Sequence, residues 1–315
     1  MDRSSIYYQQ VQLLIEVLPF ISRYDCFALK GGTAINLFVR DLPRLSVDID
    51  LVFLPDLERR AALQMIMSSL EMIASRLMSD LTNIIVVKSF KTNTDALRLI
   101  VERTSANRTI QVKIELSPVL RGTVYPPRML QVTEAVESEF GFAETSVVDL
   151  PDLYAGKICA ALDRQHPRDL FDVKLLLQQE GLTTEIRKAL IIYLISHQRP
   201  IAELLKPTFK DISAIYDSEF KSMTEINVSL TELYDTRIQL LELIHAELTD
   251  DERKFLITFK SRDPNWSLLG LAQIEQIKKL PAVRWKLHNL NLMNADKHQT
   301  ALEKLASALL TTSKS

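Results

Sequence analysis

"LKGGTAINLFVRDLPRLSVDIDLVF", residues 29–53, contains the most informative pattern in this chain. It contains a glycine pair, Gly31 and Gly32, and later two aspartates, Asp48 and Asp50, within an apolar run. The segment "SVDIDLVF" alternates between polar and apolar residues before it becomes apolar throughout, which predicts a strand with one buried face. Because side chains alternate along a strand, both carboxylates are expected on the same face.

The elements around this stretch predict a mixed α+β domain over residues 1–145. Apolar residues recur at three- and four-residue steps over residues 8–21, as in an amphipathic helix. A short strand is expected at residues 27–29 and a helical stretch at 33–39. A long helix is expected at 63–77, followed by three strand-like runs, "NIIVVKSF", "ALRLIVER" and "TIQVKIELS".

The remainder, residues 146–315, is expected to be mostly helical. Asp149 and Pro151 mark the start of a helix that carries Lys157, Pro167 interrupts it, and another helix is expected at 168–177. "TDDE" at 249–252 is a capping-box pattern, and residues 301–310 are again helix-periodic.

Composition indicates a globular chain of 315 residues with 47% hydrophobic content and a formal net charge of −2. No window approaches 18 uninterrupted apolar residues, and the first residues do not resemble a signal peptide, so a cytoplasmic location is expected. Cys26 and Cys159 are expected to be small buried apolar residues rather than reactive thiols.

Positive charge is concentrated in residues 82–130, where acidic residues are few. This basic stretch comprises Lys88, Lys91, Arg98, Arg103, Arg108, Lys113, Arg121 and Arg128. Two interpretations stay open: the segment lies along a polyanion, or it is a solvated sheet face.

The aspartate pair and the glycine pair together suggest a metal and phosphate site. Two carboxylates on one strand face repel each other, and Mg²⁺ removes that repulsion, since it prefers one or two carboxylates with phosphate oxygens and water. Glycines let backbone N–H groups approach phosphate oxygens. Glu115 would add a third carboxylate if its strand neighbours that of Asp48. Taken singly, each feature also has an ordinary explanation as a turn, a strand end or a solvated sheet residue.

The order of these motifs resembles a known enzyme superfamily. "GGTAINLFVRDLPRLSVDID" is similar to the signature of DNA polymerase β-like nucleotidyltransferases. With "KIEL", "KICAALDRQHPRDLFDV" and the C-terminal "DERKFLITFKSRDPNWSLLGLAQIEQIKKLPAVRWKLHNLNLM", the chain resembles the AbiEii/AbiGii-type (MenT-like) nucleotidyltransferase toxins over most of its length. The resemblance implies a polymerase β-like mixed-sheet domain, followed by a helical domain that completes the nucleotide site and contacts substrate.

The resemblance also implies roles for individual residues. Asp48 and Asp50 would hold Mg²⁺, with Glu115 as third strand carboxylate. The residues expected to contact the nucleotide or its phosphates are Gly31, Gly32, Thr33, Arg44, Ser46, Lys157 and Asp169. Asp172, or less favourably Asp169, would be the essential aspartate of the last motif.

Several of these residues have structural explanations that stay open. Lys157 would equally place its ammonium in solvent at the end of an apolar helix face. Asp169 in a first helical turn would be favoured by the helix dipole alone. Arg168 either pairs with Asp172 or contacts phosphate, and His166 is expected in a surface loop. Core packing is the default expectation for both tryptophans, Trp266 and Trp285, and base stacking is the less favoured alternative.

The function implied is that of a toxin in a toxin–antitoxin or abortive-infection system that acts in phage defence. Such an enzyme would use Mg²⁺ to add nucleotides from an NTP to the 3′ acceptor end of tRNA, blocking aminoacylation. The basic stretch and the cluster Lys278, Lys279, Arg284 and Lys286 would hold the acceptor stem.

Other functions remain open at this level. The transferase would instead modify a protein or small molecule, by AMPylation or antibiotic adenylylation, or the acids would be structural in a non-enzymatic nucleotide-binding module. A cognate antitoxin, encoded adjacently with a DNA-binding domain, would neutralise the toxin either by binding or by modifying Thr33.

Overall fold

A computed structural model describes residues 3–91, 97–105 and 108–310 of the chain. The chain divides into two compact units, Met1–Asp149 with Ser222–Ile226, and Leu150–Lys221 with Asn227–Ser315. The first unit therefore contains a short segment that comes from far along the chain. Among the described helices, none combines the length and hydrophobicity that a membrane span needs.

The first unit is a mixed sheet with helices against it. Its strands are β1 Phe27–Lys30, β2 Asp48–Phe53, β3 Ile84–Lys88, β4 Arg98–Ser105, β5 Arg108–Leu116, β6 Arg128–Gln131 and β7 Glu144–Val147. Its α-helices are α1 Ile6–Ile21, α2 Gly31–Ala34, α3 Arg59–Asp80 and α4 Glu134–Phe140. A π-helical turn, Ile35–Val39, follows α2, and a 3₁₀ turn spans Ser89–Lys91.

In the part of the chain that the structure describes, the seven strands form one sheet in the order β3-β4-β5-β2-β1-β7-β6. The pairs β2–β5 and β1–β7 are parallel, and the other neighbours are antiparallel. Helix α3 packs on β3, and α1 packs on β5 and β7. The central strand β2 thus has β1 on one side and β5 on the other, which positions its polar face.

The second unit is helical. Its α-helices are α5 Leu150–Asp163, α6 Pro167–Gln179, α7 Thr184–Ser196, α8 Ile201–Leu205, α9 Ser213–Glu219, α10 Leu230–Glu247, α11 Asp250–Lys260, α12 Ile274–Ile277, α13 Pro281–Leu292 and α14 Ala295–Leu309. A 3₁₀ turn spans Trp266–Leu269. Another 3₁₀ turn, Lys221–Met223, starts the segment that returns to the first unit.

Capping chemistry sets several helix boundaries of the second unit. The predicted capping box at Thr249 is confirmed, since its side chain accepts from Glu252 N and Glu252 accepts from Thr249 N. Pro167 occupies the first turn of α6, where its missing N–H costs nothing, so the predicted interruption before it is also confirmed. Ser229 forms a second capping box at the start of α10.

The α+β fold predicted from the sequence is confirmed, with two differences in detail. The helix expected from residue 33 begins two residues earlier, at Gly31, and continues as a π-helical turn. The segment β6-α4-β7 was not predicted, because four-residue strands with small, polar or exposed side chains carry little periodic signal.

Candidate active site

Two aspartates project from the same face of the central strand β2. Ile49 and Leu51 are fully buried, whereas Asp48 and Asp50 are partly exposed, so the strand alternates as predicted. The apolar side chains between them belong to the core and fix the strand in place. Consequently the two carboxylates share a surface that solvent reaches.

Strand β5 lies parallel to β2 and brings Glu115 opposite Asp50 and Lys113 opposite Asp48. The predicted adjacency of the two strands is therefore present. The Glu115 carboxylate, however, lies 2.6 Å from Nε of Arg98, its register partner on β4. Within residues 3–91, 97–105 and 108–310, no group of three or more His, Cys, Asp or Glu side chains is arranged to hold a metal. The expected three-carboxylate cluster is thus not found among these residues, and Glu115 is paired with Arg98 instead.

The glycine pair is required where it stands. Gly31 has φ +77°, and a Cβ there would lie 2.6 Å from Oδ2 of Asp50. A Cβ on Gly32 would lie 2.7 Å from Nη2 of Arg44 and 3.0 Å from Oγ of Ser46. The distances to Asp50 Oδ2 and Arg44 Nη2 are too short for real carbon contacts, so any larger residue would displace a neighbouring side chain. The turn therefore packs directly against Asp50 on one side and Arg44 on the other.

Thr33 ties this turn to the acid-bearing strand. Its hydroxyl lies 2.5 Å from the carbonyl oxygen of Asp48, to which it donates, and 3.0 Å from Oγ of Ser46. The Thr33 residue is 1% exposed. Its side chain therefore holds the start of β2, and modification of the hydroxyl would require the turn to open first.

Arg44 and Ser46 support the same turn from below the surface. Both residues are buried, and Nη1 of Arg44 donates to the carbonyl oxygen of Leu45 at 2.9 Å. A buried guanidinium is costly unless its donors are satisfied. Arg44 therefore supplies a fixed positive charge beside Gly32.

The second unit carries a buried charge cluster of Lys157, Asp169 and Asp172. The ammonium of Lys157 lies 2.8 Å from Asp169 Oδ1 and 3.0 Å from Asp172 Oδ2, and the three side chains are 5%, 1% and 0% exposed. Arg164 adds a bidentate pair to Asp169, from Nε to Oδ2 and from Nη2 to Oδ1. We call these four residues the lysine–aspartate cluster.

The lysine–aspartate cluster changes the interpretation of its members. Burial alone would raise the pKa of Asp169, but Lys157 and Arg164 outweigh it and hold that pKa well below the usual range. Lys157 does not place its ammonium in solvent. Asp169 contacts that ammonium directly, so the helix dipole alone does not explain its position. Both aspartates contact the same ammonium, so geometry alone does not choose between them as the essential acid.

His166 lies in the connection before Pro167, as expected, and it is partly buried there as the N-cap of α6. Its Nδ1 accepts from Arg168 N at 3.1 Å, and its Nε2 lies 3.2 Å from Oε2 of Glu219. Burial lowers the pKa of His166, and Glu219 offsets part of that effect. The neutral imidazole therefore fixes the start of α6, which carries Asp169 and Asp172. The Arg168 guanidinium lies 3.8 Å from Glu219.

Two arginines hold site carboxylates without being predicted to do so. Arg98 pairs with Glu115, and Arg164 pairs with Asp169. The β4–β5 register would have indicated the first pair, but strand pairing is not visible in a single sequence. The spacing from Arg164 to Asp169 spans a helix break, so helical periodicity does not relate them. A third unpredicted contact joins Tyr193 Oη to the buried Asp152 carboxylate at 3.1 Å.

The basic stretch is largely neutralised within the chain. Ion pairs join Lys88 to Glu71, Arg98 to Glu115, Arg103 to Glu16 and Arg128 to Asp149. Arg121 is buried and donates to Leu57 O at 3.2 Å, Arg108 and Lys113 are exposed, and the Lys91 side chain lies outside the description. Most of the positive charge that a polyanion would need in this segment is therefore paired or buried.

The second basic cluster is only partly available. Lys278 pairs with Glu275 at 2.5 Å, and Lys286 donates to the carbonyl oxygens of His197, Gln198 and Arg199. Lys279 and Arg284 are exposed.

The two tryptophans and the two cysteines have contrasting environments. Trp266 packs against Phe255 and Phe259, as expected. Trp285 is 56% exposed, so the core-packing expectation was wrong for it. Cys26 and Cys159 are buried as predicted, and burial raises the pKa of both thiols.

A sheet that carries an aspartate pair beside a glycine turn, with a helical unit after it, is the architecture of a nucleotidyltransferase. Comparison with known proteins agrees: the family model "Nucleotidyl transferase AbiEii toxin, Type IV TA system" matches residues 12–289. The chain therefore belongs to the AbiEii nucleotidyl transferase toxin family, and membership implies an antitoxin as its counterpart.

A solved structure of a nucleotidyltransferase toxin shows the same fold. The chain is similar to MenT4, a nucleotidyltransferase toxin from Mycobacterium tuberculosis H37Rv, with a TM-score of 0.61 and 14% identity over 92% of this chain and 95% of that one. A putative nucleotidyltransferase from H. pylori is similar with a TM-score of 0.46 and 18% identity over 78% of this chain and 97% of that one. No curated protein matches the chain.

Proposed function

We propose that this toxin transfers nucleotides from an NTP to the 3′ acceptor end of tRNA in a Mg²⁺-dependent reaction. The product tRNA would no longer accept an amino acid, and translation would stop. The cytoplasm, where tRNA is charged, is the proposed site of action, and abortive infection in phage defence is the proposed setting. Family membership supports the toxin and transferase parts of this proposal.

The observation that carries the proposal is the acid pair beside the glycine turn. Asp48 and Asp50 lie on one partly exposed strand face, and Gly31 leaves room where a Cβ would meet Asp50 Oδ2. Mg²⁺ takes one or two carboxylates together with phosphate oxygens and water, so this donor set fits the ion and its nucleotide. When bound, Mg²⁺ would supply charge stabilisation for the reacting phosphate.

The candidate site residues of the first unit have proposed roles in the transfer. In that reaction a hydroxyl oxygen bonds to the α-phosphorus of the NTP, pyrophosphate leaves, and the hydroxyl proton passes to a base. Asp48 and Asp50 would hold the metal, and the Gly31–Gly32 backbone would approach the phosphates with Arg44 as fixed positive charge beside it. Glu115 would orient the hydroxyl or accept its proton once Arg98 releases it.

The second unit is proposed to complete the nucleotide site through Lys157. A lysine is a point charge suited to the β and γ phosphates, where negative charge grows as pyrophosphate leaves. Two aspartate contacts fix the position of the Lys157 ammonium, so a nucleotide would meet a pre-oriented group. We propose Asp172 as the essential acid of this motif, and Asp169 as the residue that holds Lys157 and Arg164 together.

One observation favours a second candidate function. Four cations of the basic stretch are paired with acids of the same chain, which leaves less positive surface for an extended RNA. A protein or small-molecule acceptor, as in AMPylation or antibiotic adenylylation, would need no such surface while using the same metal and phosphate residues.

The antitoxin is proposed to neutralise the enzyme either by binding or by modifying Thr33. The buried position of the Thr33 hydroxyl favours binding, since a modifying enzyme would reach this atom only after the turn opens. Mass spectrometry of neutralised toxin decides between them: a phosphate on Thr33 would contradict neutralisation by binding alone.

The test of the function is direct labelling. Purified protein is incubated with total tRNA, Mg²⁺ and each α-labelled NTP in turn, beside the Asp48→Ala variant. Label at the tRNA 3′ end, from the NTP that serves as donor and absent in the variant, is the expected result. A labelled protein or small molecule with unlabelled tRNA would instead establish the second candidate. Activity that persists in a folded Asp48→Ala protein would remove the metal role of the acid pair.

A further inference from the structure

An exposed tryptophan on α13 has no part in the site described so far. Trp285 is 56% exposed, and its ring stacks on that of His288, with centroids 5.8 Å apart and planes 27° apart. Leaving an indole in water forgoes the large burial energy that aromatic side chains provide in a core. Such exposure therefore suggests a ligand that covers the ring.

Helix α13 is firmly held, so the exposure of Trp285 does not come from a frayed end. Three residues of this helix, Ala282, Val283 and Leu290, are buried. Nζ of Lys286 donates to the carbonyl oxygens of His197, Gln198 and Arg199 at 2.5, 3.3 and 3.3 Å, which ties α13 to the end of α7. The Trp285–His288 pair is consequently a rigid platform.

Helix α13 carries two basic residues, Arg284 and Lys286, and no acidic residue, in a chain whose net charge is −2. Arg284 directly precedes Trp285, and both Arg284 and Lys279 are exposed. This charge complements a polyanion and disfavours a basic partner.

We infer that Trp285, with His288 and Arg284, stacks the bases of a single-stranded RNA, such as the unpaired 3′ end of an acceptor tRNA. Proteins read unpaired RNA ends by stacking bases on aromatic rings and guanidinium planes, with lysine and arginine on the phosphates. The inference rests on the proposed function for the identity of the RNA. A protein partner is the alternative occupant, and an acidic one would also complement the charge, but it offers no unpaired bases to stack on the Trp285–His288 pair.

The experiment measures RNA binding apart from catalysis. A fluorescein-labelled single-stranded RNA of about ten nucleotides, a length within the site sizes of single-strand binders, is titrated with full-length protein while anisotropy is recorded. Loss of a stacking ring weakens binding by about tenfold in comparable sites. We therefore expect Trp285→Ala to bind about tenfold more weakly than wild type and Trp285→Phe to retain most of the affinity. Phe142→Ala, which removes a 52% exposed aromatic from the first unit, is the matched control and should bind like wild type.

Intrinsic fluorescence gives an independent measurement. The chain has 2 tryptophans, so Trp266→Phe leaves Trp285 as the one indole emitter. Unlabelled RNA should then quench the remaining emission as it binds. Unchanged emission together with unchanged affinity in Trp285→Ala would overturn the inference.

A kinetic measurement separates this inference from the proposed function. If both hold, Trp285→Ala raises the KM for tRNA with kcat unchanged. If tRNA is labelled equally well by wild type and variant at every tRNA concentration, the stacking surface is wrong and the transferase function stands. If wild type binds RNA through Trp285 but labels no tRNA with any NTP, the surface stands and the proposed acceptor is wrong.

Discussion

The two sets of acids in this protein differ in what surrounds them. Asp48 and Asp50 stand on a strand face that solvent reaches, and Asp50 packs against the glycine turn. Asp169 and Asp172 are buried and share the ammonium of Lys157. The first pair is partly exposed and so lies within reach of an incoming cation, whereas the second pair shares an ammonium inside the fold. Chemistry and stability should therefore respond to substitution differently in the two places.

The largest expected effect is a loss of activity with little loss of stability, at the acid pair. Asp50→Asn keeps the size of the side chain but removes the charge that would hold Mg²⁺. We expect transfer to fall by about a thousandfold or more, comparable to removal of one strong electrostatic contact in other enzymes. The melting temperature should change little, because Asp50 is partly exposed and pays no burial cost. Single-turnover labelling measures the loss of transfer, and thermal unfolding measures the change in stability. A large drop in melting temperature would show that Asp50 stabilises the fold, as the lysine–aspartate cluster is expected to do.

The next effect is on stability, at the lysine–aspartate cluster. Lys157→Met removes the ammonium that lies 3.0 Å from the buried Asp172 carboxylate, and breaking one partner of a buried pair costs about 3–5 kcal/mol. Urea unfolding of wild type and variant measures the difference. The double variant Lys157→Met/Asp172→Asn is the control, since removal of the stranded charge should restore part of the loss. Equal stability of the wild type and Lys157→Met would show that the cluster does not stabilise the fold.

A smaller effect is expected at the glycine turn. Gly31→Ala places a Cβ 2.6 Å from Asp50 Oδ2 on a backbone with φ +77°. Gly181→Ala is the matched control, because its φ is +70° and an added Cβ has no atom within 4 Å. Both variants incur backbone strain of about 1–3 kcal/mol, but only Gly31→Ala displaces Asp50. Equal stability losses with lost transfer in Gly31→Ala alone would fit the steric role; transfer retained in Gly31→Ala would contradict it.

The smallest expected effect depends on pH. The folded pKa of His166 lies below its ordinary value of 6.5, mainly through burial, so the unfolded chain binds more protons as pH falls below that value. Stability should therefore decrease as pH falls from 6.5 towards the folded pKa, where Nδ1 no longer accepts from Arg168 N. Loss of an N-cap contact costs about 1 kcal/mol.

The matched variant for this prediction is His166→Asn. Asn caps helices well and does not titrate, so urea unfolding at pH 7.5 and 5.5 should show a smaller pH dependence than in wild type. His197, whose pKa is also lowered by burial, is unchanged in both proteins and contributes equally. An identical pH dependence in the two proteins would assign the effect to other groups.

The sequence predicted what is local and periodic. Alternation around Asp48 and Asp50, the capping box at Thr249 and the break at Pro167 are set by neighbouring residues, and each appears in the structure. The glycine pair was also visible in the sequence. The reason that glycine is needed there was not, because the Cβ clashes involve Asp50 and Arg44, which lie more than ten residues further along the chain.

Pairing between distant residues could not be predicted. Lys88 meets Glu71, Arg103 meets Glu16, and Arg98 meets Glu115 only because helices and strands are packed together. The basic stretch therefore overstated the free positive charge. The burial of Trp285 was also predicted wrongly. A large aromatic residue in a helix is expected to be buried, but the way α13 packs leaves Trp285 56% exposed.

The short return of the chain to the first unit at Ser222–Ile226 limits how the protein can be divided. Met223 O accepts from Leu45 N at 2.7 Å, and Thr224 Oγ1 donates to Pro43 O at 2.8 Å, so these residues support the loop that carries Arg44. A fragment that ended at Asp149 would lose both hydrogen bonds just ahead of Asp48. A chimera joined at that point would pair the Pro43–Leu45 loop of one relative with the 222–226 segment of another. Recombination between such toxins should therefore preserve both units as one inherited piece.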